Sequence, residues 1–344
     1  MTMNPDLTML AVADAVAEGN VSPGQVAASM LVLSAMTSSL FSILVRGAGL
    51  RKGIPLLPQA DRGLLRVPET LTLIGCVLGA MTALMATASL FQPAAETLES
   101  GVVSSEQMIS MLLQNVVLDG IVFFAFGGMV LAASRNGRVS LFEASREVFN
   151  GQALTVSSED IGTAEMPFPE RVEISESVPS ADSAPSLSEP YHYGKELRFA
   201  AEVFLLTYLP TTVLRIGIMK VMELLTGGTV ESHPFLEMLS EGIPLTGVFL
   251  IVILAIGIAP VVEELFYRVV VFGGLTQMGL TKTGAVFSSI CFCLAHGFPD
   301  SLALLPLAFM LSYTYIRRRS YRTVIMVHLL FNGFNMLLAG CALV

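Results

Sequence analysis

Residues Leu245 to Gly273 read LTGVFLIVILAIGIAPVVEELFYRVVVFG, and this stretch decides the fold. It exceeds the roughly 20 apolar residues that carry a helix across the hydrocarbon core of a bilayer. Its inner half nevertheless holds two glutamates and an arginine, and an ionisable group within a span is costly unless it faces a cavity or finds a partner. Glu264 and Arg268 are four residues apart and share a helical face, so they can pair and keep both charges buried. Glu263 is turned about 100° from Glu264 and about 140° from Arg268. The arginine therefore satisfies one glutamate and leaves the other free to face a cavity. Pro260 frees the carbonyl of Ile256, which predicts a kink or a wetted backbone just before the pair.

The rest of the chain fits the same environment. Of its 344 residues 53% are apolar and only 14% charged, too few charges for a soluble protein of this length. Eight apolar stretches predict spans: Val26 to Val45, Leu71 to Phe91, Met108 to Ala132, Phe199 to Leu224, Leu245 to Gly273, Gly284 to Ala295, Leu302 to Ile316 and Thr323 to Leu343. The sixth and seventh are short, and the seventh contains Pro306. The fold class expected is all-α, a polytopic membrane helix bundle of about eight spans with its catalytic core in the C-terminal five. The net charge of −9 says little about partners, because the acids gather in one internal stretch and in short loops. Cys76, Cys291, Cys293 and Cys341 all fall in apolar runs without zinc-site or disulfide spacing. The first twenty residues have no basic group ahead of an apolar core, so no cleaved signal peptide is expected.

Basic residues set the orientation. Arg46, Arg51, Lys52, Arg62 and Arg66 lie between spans one and two, and Arg135, Arg138, Arg146, Arg171, Lys195 and Arg198 between three and four. Lys282 precedes span six, and Arg317, Arg318, Arg319 and Arg322 separate seven from eight. With eight spans all of these fall on one side, while the loops Gln92 to Gln107, Leu225 to Pro244 and Gly297 to Asp300 contain no Lys or Arg. Both termini are predicted outside. Arg215 and Lys220, near the outer half of span four, break the pattern. The chain divides into an N-terminal region of three spans (1–138), a polar segment rich in Ser, Pro and acids expected to be a flexible cytoplasmic loop (139–197), and a five-span region (198–344).

Polar side chains recur at two further places inside the last spans. Phe292 and His296 share a helical face at the end of span six, and His328 and Asn332 share one in span eight. Singly, each has an ordinary explanation in helix packing. Two of only four histidines, an Asn and a Glu pair in neighbouring spans point instead to one shared site.

In order, EELFYR (263–268), FCLAH (292–296) and HLLFN (328–332) resemble the EExxxR, FxxxH and HxxxN motifs of the CPBP family of intramembrane glutamic proteases, which includes type II CAAX prenyl endopeptidases and bacteriocin-processing or self-immunity proteins. The resemblance covers about the last third of the chain. It implies that Glu263 and His296 activate a water, that His328 and Asn332 form the oxyanion site, and that Glu264, Arg268 and Phe292 support them. One departure is Val269, where many relatives have glycine after the arginine.

The chemistry agrees with that assignment. Peptide hydrolysis needs a base, a water and donors aimed at the developing oxyanion, and a carboxylate in a low-dielectric cavity is a stronger base than one in water. No serine or cysteine in these motifs is placed as a nucleophile. The expected activity is metal-independent endopeptidase cleavage of a membrane-associated peptide or protein, with no cofactor and no nucleic-acid partner. A zinc protease using Glu263, His296 and His328 is the nearest rival, although HLLFN lacks the second histidine of HExxH. A non-catalytic scaffold or immunity protein of the same fold is a second rival, and a transporter or proton channel a third, weakened by the lack of repeats or paired broken helices. The compact chain suits a bacterial cytoplasmic membrane.

Overall fold

A computed structural model describes residues 22–60, 64–89, 105–134, 192–227, 244–297 and 300–342. The expectations for the N-terminal twenty residues, and for the polar segment as far as residue 191, lie outside the described residues. Everything described that is regular is helical.

Eight helices stand where eight spans are expected, with a short ninth between two of them. We number them α1 (Pro23–Leu50), α2 (Glu69–Ser89), α3 (Ser105–Ser134), α4 (Tyr193–Thr226), α5 (Leu245–Gln277), α6 (Thr281–Ala295), α7 (Asp300–Ala303), α8 (Leu305–Arg318) and α9 (Tyr321–Ala342). Five of them, α1, α3, α4, α5 and α9, are long and apolar enough to cross a membrane. Large apolar side chains such as Phe41, Leu84, Phe124 and Leu224 are exposed on the outside of the bundle. Water tolerates no such apolar surface, and acyl chains do. The chain is an integral membrane protein.

Local chemistry sets the boundaries. A capping box starts α1: Ser22 Oγ accepts from Gln25 N at 3.2 Å and Gln25 Oε1 accepts from Ser22 N at 3.1 Å, with Pro23 in the first turn. The fourth helix begins at Tyr193, earlier than the expected Phe199, and ends on Gly227 at φ +67°. Pro306 opens α8 instead of kinking a longer span, because proline fits a first helical turn where no donor is required. The exceptions to the charge pattern have partners: Arg215 pairs with Asp300 at 3.2 Å and Lys220 with Glu223 at 2.7 Å.

Inside α5 the backbone departs from α geometry twice. Ile253–Ile258 and Glu264–Gly273 are π-helical, flanking a short α stretch Ala259–Glu263. Pro260 cannot donate, and the wider turn before it, with Ala259 N–H bonded to Leu254 O, absorbs that loss within a continuous helix. The kink expected at Pro260 is thus a π turn. At Pro210 of α4 the solution differs: Ser39 Oγ of α1 donates to Leu205 O and accepts from Leu209 N at 3.0 Å, inserting into the opened ladder.

The three N-terminal helices pack directly on the C-terminal five. Helix α1 lies against α4 and α9, α2 against α6 and the second π stretch of α5, and α3 along α5. Gly75 and Gly79, a small-xxx-small pair, let α2 approach closely. A Cβ at Gly75 would stand 2.9 Å from Val270 Cγ1, and one at Gly79 3.5 Å from Cys291 Sγ. Gly75→Ala should therefore cost about 1–3 kcal/mol by overpacking, read as a lower unfolding midpoint in detergent. In a Val270→Ala background, which removes the obstructing methyl, that cost should shrink; strictly additive losses would show that the two residues are not in contact.

Candidate active site

The second π stretch of α5 carries the charge pair. Arg268 Nε lies 3.3 Å from Glu264 Oε2, and both side chains are fully buried. The guanidinium also sits 4.4 Å above the centroid of the Phe292 ring. A cation over an aromatic face, with a carboxylate beside it, is one of the few arrangements that hold an arginine away from water.

The other carboxylate oxygen of Glu264 reaches across to α9, where His328 Nδ1 is 2.9 Å from Glu264 Oε1. A carboxylate only accepts, so Nδ1 is the donor and carries the proton. This leaves Nε2 of His328 pointing at Glu263, 3.8 Å from Oε2. From α6, His296 Nδ1 donates to the Phe292 carbonyl at 2.7 Å, which leaves its Nε2 as a lone pair 3.7 Å from the same Glu263 oxygen. Phe292 walls both imidazoles, with ring centroids 4.6 Å from His296 and 5.6 Å from His328. Helix α6 stops at this histidine because Gly297, at φ +72°, turns the chain away.

Three atoms thus converge: Glu263 Oε2 and two imidazole Nε2. The separations are too long for direct hydrogen bonds and match what one shared oxygen atom bridges. Glu263 and His296 are partly accessible, at 28% and 23% of the side chain, whereas His328 is shut in at 2%. The reacting-side oxygen Glu263 Oε2 is itself buried and has no hydrogen-bond partner among the described residues, and the His328 ring is held from behind by Glu264.

The expected residues Glu263, Glu264, Arg268, Phe292, His296 and His328 come together. Asn332 lies one turn beyond His328 and gives an amide N–H to Ala255 O at 2.9 Å, tying α9 to the first π stretch; its bond is with that carbonyl, not with Glu263 or His296. Two residues escaped the sequence analysis. Tyr321, at the start of α9, donates its hydroxyl to Val261 O, two residues before Glu263. Asp119 sits midway along α3, the helix that packs along the α5 stretch Ala259–Glu263. A lone carboxylate in the middle of the apolar run VVLDGIVFF was a legible signal for it.

Removing one partner of a buried ion pair strands the other charge. Arg268→Met should therefore destabilise the protein by about 3–5 kcal/mol, and the double variant Arg268→Met/Glu264→Gln should be more stable than the single one. Detergent unfolding curves check this, and a double variant worse than Arg268→Met would refute the pairing.

Residues 245–334 match the family model described as Type II CAAX prenyl endopeptidase Rce1-like. The matched segment holds all seven expected site residues, and it agrees with the family that the three motifs resemble. No curated protein and no solved structure matches the chain.

Proposed function

We propose that this chain, a membrane protein whose residues 245–334 carry an Rce1-like CAAX endopeptidase domain, hydrolyses a peptide bond of a membrane-associated peptide or protein with a water activated by Glu263 and His296. The observation that carries the proposal is the convergence of Glu263 Oε2 with the two imidazole Nε2 atoms at 3.7 and 3.8 Å. A water at that point gives one O–H to Glu263 and the other to the His296 lone pair, and its own lone pair turns to the substrate carbonyl. As its oxygen bonds the carbonyl carbon, one proton passes to Glu263. The oxyanion takes an N–H from doubly protonated His328, and a second from Asn332, whose amide has one N–H beyond that bonded to Ala255. When the C–N bond breaks, the proton held by Glu263 goes to the leaving nitrogen by way of His296, and the resulting carboxylic acid and amine exchange the water's second proton to leave as a carboxylate and an ammonium group.

In this mechanism Glu264 and Arg268 do no chemistry. They fix the orientation of His328, and Phe292 walls both imidazole rings. No cofactor takes part. We place the basic loops on the cytoplasmic side of a bacterial inner membrane and both termini outside.

A zinc-dependent protease is the second reading, favoured by one observation: both Nδ1 atoms are held from behind by an acceptor, as metal-ligating histidines are. Cleavage of fluorogenic membrane-anchored peptides by the purified chain separates the alternatives. Glu263→Gln should lower turnover by about 10²–10⁴-fold, with wild-type activity surviving a chelator. Loss to the chelator with recovery on added zinc favours the metal, and unchanged turnover in Glu263→Gln removes that residue as the base.

A further inference from the structure

Helix α3 contributes nothing to the mechanism above, yet it carries Asp119 at its centre. Its direction follows from its neighbours. Leu112 and Phe126, seven residues to either side and thus on the same helical face, are both buried, as is Val130. Phe126 meets Phe266 of α5 edge-on at 5.3 Å, and Gly127 lies under Leu265. The face that bears Asp119 is therefore turned to α5, not to lipid, and α3 packs along the α5 stretch that ends in Glu263.

Asp119 is half-buried between these buried residues, so its carboxylate stays partly accessible along the seam between α3 and α5. Among the described residues it forms no hydrogen bond or ion pair. The basic residue of the neighbouring site, Arg268, is committed to Glu264 and Phe292. Asp119 thus stands as a second carboxylate on the helix packed along the α5 stretch that ends in Glu263, and among the described residues no cation pairs with it.

We propose that Asp119 is a specificity residue of this site, receiving a lysine or arginine side chain of the substrate beside the scissile bond. The proposal rests on the endopeptidase reading for its biological meaning. A cation seated there makes a charge-assisted hydrogen bond to Asp119 and relieves its repulsion with Glu263. An acidic substrate residue at the same place is disfavoured for the same reason.

The test uses purified full-length chain and apolar helical peptides with a fluorophore and a quencher at their ends, in which a single lysine, methionine or glutamate is walked along the sequence. At one position relative to the cut, wild type should cleave the lysine peptide with kcat/KM about 10- to 100-fold above the methionine peptide. Asp119→Asn should bring that ratio to about one, Asp119→Glu should restore it, and Asp119→Lys should turn the preference to glutamate. A wild-type ratio of one at every position, or a ratio unchanged in Asp119→Asn, overturns the proposal; the second outcome includes an equal loss on all peptides, which would make Asp119 a positioning residue. In parallel, binding of the same peptides to Glu263→Gln is followed by fluorescence anisotropy. Lysine-selective binding that depends on Asp119, without cleavage by wild type, sustains the proposal and sinks the endopeptidase reading. Binding that does not discriminate the peptides, or no binding, sinks the proposal.

Discussion

Burying Glu264 makes the rest of the site possible. A fully desolvated carboxylate is tolerable only when its charge is countered, and here the Arg268 guanidinium stands as counter-charge beside one oxygen while His328 donates a hydrogen bond to the other. The first contact is local to α5, whereas the second crosses to α9, so the same charge that stabilises one helix also docks another. Because the carboxylate accepts from Nδ1, it dictates which nitrogen of His328 turns to the reacting side. Arg268 in turn presses on Phe292, and Phe292 holds His296 both by its ring and by its carbonyl. Three helices are thereby fixed in mutual register by groups that are themselves not proposed to react.

At the other end of the bundle a second buried carboxylate performs a comparable structural task. Glu196 of α4 receives Arg318 Nη2 at 2.6 Å and Thr323 Oγ1 at 2.7 Å, so it ties the end of α8 to the start of α9. Arg318 also donates to Pro58 O and Arg317 to Leu57 O, and Gln277 of α5 bonds Leu65 O and Val67 N. The connection between α1 and α2 is thus laced over the ends of α5 and α8. Thr323 is five residues before His328, so a clamp outside the candidate site sets where the His328 face of α9 begins. The N-terminal spans therefore belong to the packing of the site's helices, as Gly75 against Val270 also shows.

What the sequence revealed and what it hid have a common physical basis. The Glu264–Arg268 pair was legible because four residues on any nearly regular helix bring two side chains together, and the bilayer makes an unpaired charge improbable. Phe292 with His296 was legible for the same reason. The meeting of Glu263 with both imidazoles depends on how three helices pack, and no spacing within one helix encodes it; three ordered motifs conveyed it only through resemblance. The spans were legible from length and hydropathy, but their ends were not: α4 starts six residues before its apolar run, and α8 starts at Leu305 inside the stretch expected from Leu302. Arg215 looked anomalous because its partner, Asp300, is 85 residues away. Asp119 was overlooked because it stood alone, outside any motif.

The two π stretches of α5 have an implication for how such a helix is compared with others. A π turn holds more residues than an α turn, so each stretch shifts the angular phase of everything that follows it. Residues before Ile253 and after Gly273 are consequently out of phase with the wheel that an unbroken α-helix would draw through Glu263. What must be kept for Glu263 to meet the imidazoles is an angle and a height, while the number of residues separating Glu263 from either end of its helix can vary by one. A single-residue insertion or deletion in such a membrane helix, ordinarily ruinous because it rotates a lipid-facing stripe into the core, can here be taken up by gaining or losing a π turn. Gapless alignment across this helix is then a poor guide to which residues occupy the same place in space.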